Sequence, residues 1–264
     1  MHLSVQHTTV YRYAQKVSRS TQYIRLSPCA GPRQRVIRWD LQLPARAVSL
    51  RDAFDNITHV LTLDAPYQEI RLTAQGSVDV ADVDEGEPAG PINPMVFLRP
   101  TPLTEPDEAL SAFVEPMRRL AVSRPLIALS DLMAAVLDRM PYTPGSTAVD
   151  HTAAQSFALG AGVCQDHTHV FLACCRLLGV PARYVSGYVH SPSRTEVASH
   201  AWSEVWMANR WVGFDISNGR HVGGGHLKLA IGLDYLDACP VRGMRMGGGD
   251  EQMSASACVE AAAQ

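Results

Sequence analysis

Three side chains in the second half of the chain, Cys164, His200 and Asp215, have the types and the order that nucleophilic acyl transfer requires. A thiol becomes a nucleophile at neutral pH when an imidazole takes its proton. The imidazole does this best when a carboxylate fixes its other nitrogen and stabilises the imidazolium. In Gly160-Ala-Gly-Val-Cys164-Gln-Asp-His the cysteine opens a helical period in which Val170, Phe171, Cys174, Leu177 and Leu178 share a face, and Gly179 and Pro181 close it. The free N–H groups of a first helical turn favour a thiolate and can hold an oxyanion. Gly160 and Gly162 are expected to clear the approach of a substrate backbone. Cys174 and Cys175 lie mid-helix in the apolar stripe and read as core.

The other two groups fall on an alternating run and the run after it. Ser199-His-Ala-Trp-Ser-Glu-Val-Trp206 puts His200, Trp202, Glu204 and Trp206 on one face of a strand, and Trp211-Val-Gly-Phe-Asp215 reads as its hairpin partner. A two-residue loop sets Asp215 opposite Glu204, and a four-residue loop sets it opposite Trp202. Either register puts Asp215 on the face of His200, whereas a three-residue loop or a bulge breaks that parity. Backbone N–H of Cys164 is one candidate oxyanion donor; Tyr142 and Gln155 are candidate side-chain donors, and Trp202 a candidate substrate contact.

The elements that must position these groups change character along the chain. Residues 1–90 offer short alternating runs: Leu3 to Tyr13, Tyr23 to Leu26, Val36 to Leu43, Thr58 to Leu63 and Glu69 to Val80. Turn chemistry such as Ser27-Pro28 and Asp55-Asn56 separates them, which predicts an all-β, sandwich-like amino-terminal domain. The Pro-, Gly- and acid-rich stretch that ends in residues 91–106 reads as a linker without an element of its own. A catalytic domain is expected over 107–249. Its first helices run from Pro106 to Val122, with Thr104 as N-cap, and from Leu126 to Met140. Ser191 to Ser199 reads as a polar, substrate-selecting loop, and residues 250–264 as a flexible tail.

Composition narrows the classes. The 264 residues are 46% apolar and 19% charged with a net charge of -3, so there is no basic field for nucleic acid. No stretch approaches the roughly 20 apolar residues of a membrane helix, and the amino terminus lacks the basic start and apolar run of a signal peptide. A cytoplasmic protein is the expectation. Cys29, Cys164, Cys174, Cys175, Cys239 and Cys258 show no disulfide framework and read as free thiols. Cys164, His167, His169, His221 and His226 offer metal-ligand types, but no spacing completes a tetrahedral set, so neither a metal nor a cofactor is expected.

Three blocks, Gly-Val-Cys164-Gln-Asp-His, Ser199-His200-Ala-Trp202-Ser-Glu204-Val and Trp211-Val-Gly-Phe-Asp215, closely resemble the catalytic motifs of the bacterial transglutaminase-like proteins. His7-Thr-Thr-Val-Tyr11-Arg-Tyr13 and Asp52-Ala-Phe-Asp-Asn56 resemble the β-rich amino-terminal domain found with that core. The resemblance implies an α+β chain with a papain-like catalytic core, in which the cysteine helix packs on a sheet bearing the histidine and aspartate. Two positions depart from the family pattern: Asp55 where glycine is frequent before the asparagine, and Ile216-Ser217 where Pro-Thr often follows the aspartate. The expected activity is hydrolysis of a peptide or amide bond through a thioester, on a peptide or protein substrate. Transfer to an amine, as in a protein-glutamine transglutaminase, is the alternative. A non-catalytic binding scaffold is a second.

Overall fold

The computed structural model describes residues 1–81, 86–191, 196, 197 and 199–261 of the chain. A first sheet is organised around one long strand, β1 (His2–Ile24), whose inward side chains include Leu3, Val5, His7 and Thr9 while Ser4 and Gln6 face out. β2 (Gln34–Gln42), β3 (Val48–Arg51), β4 (Ile57–Leu63) and β5 (Tyr67–Val80) follow. A register shift between Arg12 and Val17 divides β1 into two halves. The first half pairs with β5, and the second with β4, which carries β3. All five strands join one hydrogen-bonded sheet through β1.

A helical layer comes next: a 3-10 turn at Pro94–Leu98, then α1 (Glu108–Val114), α2 (Arg118–Ser123), α3 (Pro125–Arg139), α4 (Ala153–Leu159) and α5 (Cys164–Leu177). The second sheet takes β6 (Ala182–Val189), β8 (His200–Met207), β9 (Arg210–Asp215), β10 (Arg220–His221) and β11 (His226–Gly232), in the order β10-β9-β8-β6-β11. β7 (Glu196–Val197) joins the first sheet, and α6 (Tyr235–Ala238) leads to β12 (Val241–Gly247) and β13 (Glu251–Ala261). No helix among the described residues is long and apolar enough to cross a membrane.

Five expectations change. Residues 251–261 are not a flexible tail: β13 pairs with β1 from Leu3 to Tyr13, and Ala257 and Val259 are buried there. Alanine and serine carry little strand signal of their own, so pairing decides their structure. Gly247, Gly248 and Gly249, at φ of 81°, 96° and 61°, let the chain turn from β12 into β13 beside the irregular stretch of β1. The last two strands of the chain thus return to the first sheet.

The stretch 91–106 is not a bare linker. Phe97 is fully buried edge-on to Trp211 at 5.3 Å, and Arg176 of α5 donates to Phe97 O and to Thr104 Oγ1. Thr104 therefore holds a buried guanidinium, while Asp107 caps α1 by accepting from Leu110 N–H at 2.8 Å. The single helix expected to Val122 breaks at Glu115–Met117, because Pro116 lacks an N–H and clashes with the preceding turn. Finally, α5 is buried on all sides from Asp166 to Arg176, where one apolar face was expected.

The two portions share a core. Tyr188, Leu227 and Leu229 of the second sheet pack with Leu3, Ile24, Leu72 and Val259 of the first. Two carboxamides lock the contact. Gln34 donates to Lys228 O at 2.8 Å and accepts from Lys228 N–H at 2.9 Å, and Asn56 does the same with Ile231 at 2.8 Å each way. They satisfy backbone groups on the outer edge of β11, which has no strand neighbour there among the described residues. Residues 82–85, 192–195, 198 and 262–264, which include much of the polar loop and the last of the tail, lie outside the described residues.

Candidate active site

The start of α5 is built by a carboxylate the motif contains but the sequence reading passed over. Asp166, fully buried, accepts from Val163 N–H at 2.8 Å, Thr147 Oγ1 at 2.7 Å and Ser156 Oγ at 2.9 Å. It thereby takes the amide just ahead of Cys164 and leaves the N–H of Cys164 itself, which lacks an intrahelical acceptor. Gly162 serves this arrangement: a Cβ there would stand 2.6 Å from that of Asp166. Gly160 ends α4 at φ 71°. Both glycines thus meet local backbone requirements at the end of α4 and the start of α5.

His200 is the first residue of β8; its imidazole hydrogen-bonds Asp215, and the Cys164 side chain is near enough to influence it. Nε2 faces Asp215 Oδ1 at 2.8 Å, which leaves Nδ1 for the thiol. Burial pushes the imidazolium down, but the hydrogen bond to Asp215 and the influence of Cys164 outweigh it and raise the His200 pKa to about 10. Asp215 is completely buried, and burial alone would raise it. Hydrogen bonds from His200, His226 and Asn218 hold it well below the usual carboxylate range. Cys164 is half-buried, whereas burial pushes Cys174 up to about 12 and Cys239 to about 11.

The hairpin that joins the two groups turns at Ala208 and Asn209, with φ of 48° and 61°, so Met207 pairs with Arg210. The loop is two residues long but lies one position earlier than expected, and the register of Ser203 with Phe214 carries Asp215 opposite Trp202. The shared face of His200 and Asp215 is present.

Of the side chains suggested for oxyanion or substrate contact, Gln155 is engaged at a helix start, while Trp202 and Tyr142 lie near the triad. Gln155 closes the capping box of α4, its Oε1 accepting from Thr152 N–H at 2.9 Å. Trp202 is buried, stacked on His200 with centroids 6.2 Å apart; its Nε1 is enclosed and has no hydrogen-bond partner among the described residues. Tyr142 is half exposed and bridges to Gly162, beside the segment that leads to Cys164.

The imidazoles considered as metal ligands are engaged separately. His167 contacts Met140 O at 2.6 Å, His169 accepts from Tyr235 N–H at 3.1 Å, and His221 lies 3.2 Å from Ser130 Oγ. His226 is different, since it reaches Asp215 Oδ2 at 2.9 Å. Asn218 donates to the same oxygen at 2.7 Å. Asp166 was legible as an acid three residues past an N-cap position. His226 arrives from across the sheet, and no spacing announces it.

Residues 117–216, which hold the whole constellation, match the transglutaminase-like superfamily, and residues 3–79 match the bacterial transglutaminase-like N-terminal region. The chain thus carries a core like that of a superfamily of thiol acyl-transfer enzymes. An uncharacterised protein of Mycobacterium tuberculosis is 29% identical over 272 residues, covering 91% of this chain and 86% of the relative. One from Mycobacterium leprae is 27% identical over 266 residues, covering 94% of each. The crystal structure of a candidate cysteine protease from Cytophaga hutchinsonii superposes with a TM-score of 0.76 at 19% identity, covering 100% of this chain and 92% of the other. That likeness is one of fold, and the transglutaminase-like core is papain-like as expected.

Proposed function

We propose that the chain is a cysteine amidase or peptidase in which Cys164 is the nucleophile, His200 its base and acid, and Asp215 the orienting carboxylate. The observation that carries this reading is the hydrogen bond of His200 to buried Asp215 at 2.8 Å, with the Cys164 side chain near enough to the same imidazole to help raise it. His200, raised to about 10, is basic enough to take the Cys164 proton, which gives the thiolate and imidazolium that react.

The thiolate sulfur attacks the carbonyl carbon of an amide, and the C=O electrons move to oxygen. That oxyanion is met by the Cys164 N–H and the positive end of α5. As the C–N bond breaks, the proton on His200 passes to the leaving amine, and a thioester remains. The neutral imidazole then takes a proton from water while the water oxygen attacks the thioester. The C–S bond breaks, the acid departs, and thiolate and imidazolium are restored. An amine in place of water gives a new amide by the same steps.

A glutamine-containing peptide incubated with and without excess primary amine tests the reading. Conversion to the acid, lost in Cys164→Ala and His200→Ala, is the expected result. Accumulation of the amine adduct identifies a transglutaminase instead. No turnover across a peptide library, with Cys164 alkylated no faster than Cys258, points to a binding scaffold.

A further inference from the structure

Asp215 does not end its hydrogen bonding in solvent. On the oxygen opposite the one that faces His200, it accepts from a second imidazole, His226 Nε2, at 2.9 Å. His226 is buried, and its Nδ1 accepts from Gly223 N–H at 3.2 Å in the turn that precedes β11. An imidazole with an amide N–H aimed at Nδ1 carries its hydrogen on Nε2, so the ring is fixed as a neutral donor to the carboxylate. The frame behind it is equally specified. Arg33, just ahead of β2, reaches Gly223 O at 3.3 Å, and Gln34 and Asn56 hold β11 at Lys228 and Ile231. The Trp202 ring touches both histidines, stacked on His200 and edge-on to His226 at 5.4 Å.

We propose that His226 is a positioning residue of the acyl-transfer centre: it fixes the Asp215 carboxylate through Oδ2, so that Oδ1 stays in line with His200. The proposal rests on the Cys164-His200-Asp215 reading and gives the first sheet a part in it, because that sheet sets the place of β11. The ionisable groups facing the ring are Asp215, which favours its charged form, and His200 and Arg220, which oppose it. Burial is the largest influence and keeps the ring neutral.

The role requires a donor where Nε2 stands. Glutamine brings an amide N–H near that point; the shorter asparagine reaches only the place of Nδ1, where it meets Gly223 and leaves Oδ2 without this donor. Full-length wild type, His226→Gln and His226→Asn are compared by the rate of iodoacetamide alkylation of Cys164, resolved by peptide mass spectrometry, as pH is varied, with the Tm of each recorded. His226→Gln should stay within about twofold of wild type, and His226→Asn should fall about tenfold near pH 6, the range in which partners of a functional imidazole matter.

Equal rates for the two variants, whether unchanged or equally slowed, overturn the proposal. If His226→Asn does not fold, the ring nitrogens of the wild type decide by NMR. A neutral Nε2–H tautomer from about pH 5.5 to 8 supports the role, and a charged ring or the Nδ1–H tautomer refutes it. A wild-type Cys164 that labels no faster than Cys258 fails the triad reading itself and is thereby distinct from a missing Gln–Asn contrast.

Discussion

His200 Nε2 meets Asp215 Oδ1 at 2.8 Å, and among the described residues every other side chain within hydrogen-bond reach of that carboxylate is also a donor: His226 Nε2, Asn218 Nδ2 and Ser217 Oγ. Only a group that accepts on both oxygens satisfies this set. Asp215→Asn supplies one acceptor and one NH₂, so it must face either His200 or His226 with donor against donor. Substrate turnover should fall by about a thousandfold or more, chiefly in kcat, by the precedent of tautomer disruption in catalytic triads. Steady-state kinetics on any substrate that Cys164 turns over checks this; a loss confined to KM contradicts it.

The same contact sets a pH dependence of stability. His200 is raised from 6.5 to about 10, so the folded state binds that proton more tightly than the unfolded state. The stabilisation is full below about 6.5 and is lost as pH rises through about 10. Asp215, held low, contributes in the opposite sense: its stabilisation is present above the ordinary carboxylate value of 3.8 and fades as pH falls below it. Thermal denaturation of wild type should show a Tm that declines on the alkaline side, and His200→Gln should flatten that limb.

Asn56 acts as a one-residue strand against Ile231. Asn56→Ala leaves the Ile231 N–H and C=O without their partner and removes a donor from Asp52. A loss of about 2–3 kcal/mol is expected for a buried pair of this kind. Hydrogen exchange should localise it, with the Ile231 amide losing protection before the centre of α5 does. Uniform loss of protection would mean that the two sheets unfold as one unit.

The hairpin that delivers Asp215 holds Ala208 at φ 48°, a left-handed conformation that an L side chain resists. Ala208→Gly should stabilise the protein by about 0.5–1 kcal/mol without altering turnover, read as a raised denaturant midpoint. Asn209, at φ 61°, already suits its place.

The sequence by itself determined the reacting groups and their local settings. A cysteine at a glycine-led helix start and a two-period run bearing His200 are patterns of adjacent residues, and adjacency is what a sequence displays. The parity that puts Asp215 with His200 was legible for the same reason, since alternate residues of paired strands share a face. What only the tertiary structure decided depends on contacts between distant segments. Residues 251–261 look like a frayed tail until β1 offers them a ladder, and 91–106 look like a linker until Arg176 and Trp211 bury them. His226 lies 11 positions past Asp215 and reaches it only because β11 is held at the edge of the sheet by Gln34 and Asn56. Pattern specifies which side chain faces inward. Which carboxylate it then meets is fixed by packing across the fold.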